Sequence, residues 1–175
     1  DQNELRPLGR TARGVKSMNL RDGDKLVSMD VLTSELVEKL SKLDPLDDEN
    51  NEEQDINLSE GPWVLVASSF GLGKRVPVTQ FRLQKRAGMG LRAIKFRIKD
   101  DVLVGLKVLG AGEEILLVTE RGVIVRTNAD KVSQQSRAAT GVKLQRLDEG
   151  DHLAEVVLVP HEQIDEEKNE EEDSP

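Results

Sequence analysis

Two stretches of this chain are versions of one another. SSFGLGKRVPVTQFRLQKRAGMGLRAIKF, starting at Ser68, aligns without gaps to TERGVIVRTNADKVSQQSRAATGVKLQRL, starting at Thr119, at an offset of 51 residues. Gly71 falls on Gly122, Arg75 on Arg126, Gln84 on Gln135, Arg86 on Arg137 and Gly90 on Gly141. A partial third copy opens the chain. RGVKSMNLRDGDKL matches TGVKLQRLDEGDHL at an offset of 127, so Gly14, Val15, Lys16, Gly23 and Asp24 recur as Gly141, Val142, Lys143, Gly150 and Asp151. Such self-similarity constrains architecture strongly, because a unit of this size must bury its apolar face on its neighbours. Each unit reads as strand, Gly turn, strand, basic Gly-containing loop, strand, acidic turn, strand, with WVLVAS and EILLVT as the leading strands. Four strands per unit is the pattern of a propeller-like blade. The expected fold is all-β, a partial set of four-stranded antiparallel blades.

Composition shifts divide the chain further. Residues 33–61 carry ten acids against two lysines, and residues 161–175 carry eight acids against one lysine. In the first of these, TSELVEKLSKLDP sets Leu36, Leu40 and Leu43 on one helical face, with Thr33 and Ser34 as caps and Pro45 as the stop. The rest of that linker and the tail are expected to be disordered. The division is then a partial blade at 1–32, an acidic linker with a short helix at 33–61, a basic blade at 62–112, a further blade at 113–160 and an acidic tail at 161–175. The chain begins at Asp1 rather than Met, which fits a fragment or a processed product.

The net charge is -8, yet residues 62–112 hold ten bases against two acids. FRLQKRAGMGLRAIKFRIKDD, from Phe81 to Asp101, has seven bases and no acid before Asp100. In RAIKFRIK, Ile94, Phe96 and Ile98 alternate with Lys95, Arg97 and Lys99, which predicts a half-buried strand with a cationic outer face. Like charges at alternate positions repel, so this arrangement suits a surface whose counter-charge comes from outside. A polyanion ligand follows, with the acidic tail as a competitor for the same surface.

Several chemistries are excluded. The chain has no cysteine and no tyrosine, and its two histidines, His152 and His161, do not make a zinc site. No apolar run is long enough for a membrane-spanning helix, and no membrane partner is expected. GLGK at 71–74 has too few residues between its glycines for a nucleotide-binding P-loop and reads as a hairpin. No nucleophile–base–metal constellation is present. The aromatic residues, Trp63, Phe70, Phe81 and Phe96, read as core rather than as base-stacking platforms.

The segments GLGKRVPVTQFRLQKRAGMG and QSRAATGV, repeated with the turns DGDKL and EGDHL, resemble the C-terminal domain of the DNA gyrase A protein, most strongly its cyanobacterial and plant-organelle forms. The resemblance covers roughly 10–32 and 62–159. It implies a β-pinwheel whose basic rim wraps duplex DNA. It also implies partnership with the gyrase B subunit in a type II topoisomerase, and with the rest of the gyrase A protein. ATP and Mg then belong to the complete enzyme, with no cofactor in this chain and no catalytic residue, since the family's DNA-linking tyrosine has no counterpart here. A plant source implies chloroplast or mitochondrion, and a bacterial one the cytoplasm. The family's wrapping motif is Gln, basic, Arg, Gly, Gly, basic, Gly. Gln84, Lys85, Arg86, Gly88 and Gly90 match it, Ala87 and Met89 depart, and the later copy retains Gln135, Arg137 and Gly141.

The expected DNA-binding set is Lys74, Arg75, Arg82, Gln84, Lys85, Arg86, Gly88, Gly90, Arg92, Lys95, Arg97, Lys99, Arg126 and Arg137. Gly88 and Gly90 either bring backbone N–H groups to phosphates or serve a tight turn. Arg137, and less readily Arg86, has a blade-to-blade ion pair as its other reading. The rival functions are a protein-interaction propeller that binds through the acidic segments and the related C-terminal domain of topoisomerase IV.

Overall fold

The computed structural model describes residues 6–34, 37–38 and 61–159. Seven strands follow in order: β1 (Trp63–Ser68), β2 (Leu72–Pro77), β3 (Leu103–Leu109), β4 (Glu114–Thr119), β5 (Ile124–Asn128), β6 (Val142–Lys143) and β7 (Leu153–Val159). They make two antiparallel sheets, one ordered β3-β1-β2-β6 and the other β5-β4-β7. The offset of 51 carries over into register. Leu65 pairs with Arg75 as Leu116 pairs with Arg126, and Ala67/Ser68 and Val118/Thr119 mark matching irregularities.

The strand WVLVAS is buried throughout, and apolar up to Ser68, because both of its faces are covered. Leu65 and Ala67 join Ile115, Leu117, Leu153 and Val156 in a core between the sheets. Val64 and Val66 face the other way, onto Val78 and Ile94. EILLVT buries only alternate residues, Ile115, Leu117 and Thr119. Full burial of a Leu or Val side chain contributes about 1.5–3 kcal/mol, so β1 anchors two cores at once.

The turns follow the sequence closely. Gly71 and Gly122 close the β1–β2 and β4–β5 hairpins with φ of 75° and 84°, which glycine adopts without a Cβ penalty. The acidic turns do more than bend the chain. Asp101 reaches back to the β1–β2 hairpin, where its Oδ1 accepts from Ser69 Oγ at 2.9 Å and from Phe70 N at 3.2 Å. Asp151 does the same for the β4–β5 hairpin, accepting from Arg121 N at 3.2 Å and from His152 N. The Thr119 hydroxyl and these backbone N–H groups hold its carboxyl below the usual carboxylate range. His152 is a turn residue stacked edge-on against Phe70 at 5.1 Å.

Three expectations need correction. First, RAIKFRIK forms no strand. Ile94 is buried, but Phe96 and Ile98 are each 42% exposed. The segment in this position in the next repeat, β6, pairs not with its own repeat but with β2 of the repeat before it. Only Leu91 and Arg92 correspond to β6, and residues 145–150, which match 94–99, form no strand in the next repeat either. Phe96 is therefore not core, whereas Trp63 is. Second, the sheets do not follow the repeat boundaries, because the first sheet takes β6 from residues 113–160. Third, residues 6–32 form no strand ladder. They contribute one parallel bridge, Met18 with Gly88, and flank β3 through Ser28 Oγ to Leu106 O and Val108 N to Asp30 Oδ2. Ser34, Val37 and Glu38 are helical, with Val37 N bonded to Thr33 O. Leu36, Leu40, Leu43, most of the acidic linker and the tail lie outside the described residues.

Candidate nucleic-acid interface

Two of the expected DNA contacts are withdrawn from the surface. Lys74 sits at the middle of β2 with 0% exposure. Its Nζ donates to Ser136 O at 2.6 Å, Arg137 O at 2.8 Å and Ala139 O at 2.7 Å. An ammonium has three donors, and here all three are used. Burial, aided by the Arg137 charge, lowers its pKa from 10.5 to about 8, so it remains charged at neutral pH. Arg75 lies with its guanidinium 4.4 Å over the Trp63 ring. It donates to Val132 O and pairs with Asp130 Oδ1 at 2.8 Å. Both bases fasten the first sheet to the following repeat, which is why neither faces a ligand. Arg126, the counterpart of Arg75, is exposed but paired with Glu114, so its charge is locally neutralised.

The basic stretch behaves differently. Arg82, Lys85, Arg86, Arg92, Lys95, Arg97 and Lys99 are all exposed. Of these, Lys85, Arg86, Arg92, Lys95, Arg97 and Lys99 lie within ion-pair distance of no carboxylate among the described residues. The expected blade-to-blade ion pairs of Arg86 and Arg137 are not formed there.

A repeated contact gathers these charges across repeat boundaries. The loop Gln84–Gly90 packs on residues 16–19 of the first repeat, and the loop Gln135–Gly141 packs on residues 92–95 of the middle one. Asn19 N donates to Gly88 O at 2.9 Å, and Lys95 N donates to Ala139 O at 3.2 Å. Arg86 Nη1 reaches Lys16 O at 3.2 Å, and Arg137 Nη1 reaches Arg92 O at 3.5 Å. Each loop arginine is thereby set on the backbone of a basic residue in the preceding repeat. Lys16 thus joins Arg86 as Arg92 joins Arg137. Lys16 is absent from the residues expected on sequence grounds. The offsets that place Lys16 on Lys143, and Lys143 on Arg92, are the signal that points to it.

The motif's glutamines and glycines shape the loops. Gln135 Oε1 accepts from Gly141 N at 3.1 Å and closes its loop, while Gln84 is half-buried in the same place in its own. A Cβ on Gly141 would lie 2.6 Å from Gly73 O, so this glycine is required for close approach to β2. Gly90 has φ of 75°, and a Cβ on Gly88 would stand 3.2 Å from Lys85 O. These are the marks of a tight turn.

The sequence matches the family described as "DNA gyrase C-terminal domain, beta-propeller" over residues 2–33, 62–109 and 113–160. This chain belongs to that family. The three matched stretches coincide with the three sequence repeats, and the acidic linker falls between them. The DNA gyrase A protein of Synechocystis sp. is 51% identical over 166 residues, covering 91% of this chain and 19% of the relative. The DNA gyrase A protein of Staphylococcus epidermidis is 35% identical, covering 92% of this chain and 15% of the relative. The chain therefore spans about a fifth or less of the curated relatives it matches. A solved DNA gyrase A C-terminal domain superposes with a TM-score of 0.52 at 33% identity, over 56% of this chain and 33% of that one. The C-terminal domain of a DNA topoisomerase IV gives the same TM-score at 22% identity, over 69% of this chain and 38% of that one, and shares the fold. The all-β, propeller-like fold expected from the repeats, and the β-pinwheel implied by the resemblance, is the fold of this gyrase family.

Proposed function

We propose that this chain binds duplex DNA, with no base-specific contacts, on the basic rim formed by Arg82, Lys85, Arg86, Arg92, Lys95, Arg97, Lys99 and Arg137, with Lys16 added. The observation that carries the reading is the bridging of repeats by Lys16–Arg86 and Arg92–Arg137 at equivalent places. It lines cations along successive units, and Lys16, Arg86, Arg92 and Arg137 lie within ion-pair distance of no carboxylate among the described residues. Guanidinium and ammonium groups on such a surface neutralise phosphates and release counterions. A curved rim also makes DNA bending part of the energy, favouring deformable sequences.

In this reading the chain is the DNA-wrapping part of a gyrase A protein. It acts beside the remainder of that protein and beside gyrase B in an A2B2 assembly. ATP hydrolysis, Mg and the DNA-cleaving tyrosine reside outside it. Its site of action is the bacterial cytoplasm, or the chloroplast or mitochondrion of a plant. The acidic tail tunes occupancy by competing for the rim, and removing residues 161–175 should tighten binding.

Fluorescence anisotropy on a duplex of several helical turns, titrated against salt, tests the reading. A log–log slope of roughly -4 to -7 is expected for about five to eight phosphate contacts. Lys85→Glu with Arg86→Glu should lower affinity by more than about tenfold at low salt. Folded protein with no binding at low salt would refute the proposal.

A further inference from the structure

Arg137 stands on a turn that cannot fix it unaided. Ala139 N donates to Ser136 O at 3.1 Å and closes the turn, with Arg137 as its second residue. Such a turn pairs its first carbonyl with its fourth N–H and leaves the second residue's N–H for an acceptor elsewhere. Here that acceptor is Gln80 of the preceding repeat, whose Oε1 takes the Arg137 N–H at 2.8 Å. The Arg137 carbonyl is held from the same repeat by the Lys74 ammonium. Both backbone polar groups of Arg137 are thus held by side chains, 57 and 63 positions away in the chain.

Gln80 is not required by the turn it sits in. Val78–Gln80 and Ala129–Lys131 are equivalent one-turn 3₁₀ helices at the offset of 51. Each is closed by the next residue, Phe81 N to Val78 O at 2.9 Å and Val132 N to Ala129 O at 3.0 Å. Lys131 occupies the place of Gln80, and a lysine side chain offers no acceptor. The local turn therefore forms with either residue. What Gln80 adds is the bond to the following repeat.

That bond has electrostatic work to resist. Arg137 Nη1 lies 3.5 Å from Arg92 O, which sets two cationic residues side by side. Neither lies within ion-pair distance of a carboxylate among the described residues. Like charges so placed repel until an anion arrives, and a loosely held turn would let Arg137 swing away.

We propose that Gln80 is a positioning residue for DNA binding, which fixes the Arg137 backbone so that its guanidinium stands beside Arg92 before DNA arrives. The proposal rests on the reading of Arg137 as a rim contact. Without the Gln80 acceptor, the ordering of Arg137 is deferred to the binding step and costs affinity there. The phosphates neutralised stay the same in number, so the salt slope should hold while the affinity falls.

Gln80→Met keeps the length of the side chain and leaves only a weak thioether acceptor. In the anisotropy titration it should lower affinity about threefold to tenfold, the worth of one hydrogen bond, with the salt slope unchanged. Arg137→Ala should lower both affinity and slope, and Gln80→Met added to Arg137→Ala should have no further effect. In the free protein, the Arg137 amide should exchange with solvent about tenfold faster in Gln80→Met than in the unaltered chain. Unchanged affinity in Gln80→Met, a loss of the same size in the Arg137→Ala background, or equal amide exchange in the two proteins would each overturn the proposal. Arg137→Ala that binds as tightly as the unaltered chain would instead fault the rim reading at this residue, and the proposal would fall with it.

Discussion

The two sheets descend from one sequence pattern yet differ in how they are completed. The first has four strands, is covered on both faces along β1, and is closed at its edge by a strand from the following repeat. Among the described residues the second has three strands, buries alternate residues of β4, and carries a surface ion pair at Arg126 where the first holds a half-buried Arg75. The lesson is that a blade here is not a repeat. It becomes whole only when the next unit contributes a strand and a loop. Residues at equivalent positions then diverge according to whether that neighbour is seated, as Lys74 and Val125 do.

Substituting both members of that pair tests the comparison most severely. Lys74→Met strands three carbonyls without a donor and should cost about 3 kcal/mol or more in denaturant unfolding. Val125→Met, in the same register, should cost less than about 1.5 kcal/mol. Equal effects would erase the distinction. Glycine gives the next contrast. Gly141→Ala places a methyl group against Gly73 O and strains a positive φ, with an expected loss of about 2–3 kcal/mol. Gly122→Ala meets no atom within 4 Å and should lose only about 1 kcal/mol from its φ.

The hairpin caps make the comparison sensitive to pH. Asp151 is held below its ordinary pKa in the folded chain, so its contribution is present at neutral pH. It fades as pH falls below about 4, through the unfolded value towards the lower folded one. Asp151→Asn should flatten the acid limb of a stability–pH curve recorded by thermal melting; an unchanged limb would deny the cap this role. The smallest effects concern DNA. Lys16→Ala should reduce the salt slope of binding by about 1, the loss of one phosphate contact. Arg126→Ala, already answered by Glu114, should leave the slope unchanged. A reversed order would move the rim from the repeat junctions to the second sheet.

Much of this was legible in the chain itself. The offset of 51 predicts the hairpins and the glycine turns, and the run of bases without acids marks the basic segment, because each depends on local spacing. The failed strand at 92–99 shows the limit. Its alternation of Ile94, Phe96 and Ile98 is a true strand pattern, but a strand also needs an edge to pair with, and alternation is silent about which edge that is. Lys16 shows the converse. It looks like an ordinary cation until a loop from the next repeat lays Arg86 on its carbonyl.

From the order of residues alone it follows that the chain is a β-repeat protein with glycine-bound turns and one acid-free basic stretch. Those properties rest on side-chain period and backbone freedom, which act over a few residues. Which bases are available to a ligand was settled by long-range packing instead. Lys74 and Arg75 carry the same charge as Lys85 and Arg86 and lie in the same repeat. Yet the first two are held by distant acceptors, on Asp130, Ser136 and Ala139. A cation turns inward when a distant loop brings it enough carbonyls to replace water, and no local pattern records the arrival of that loop.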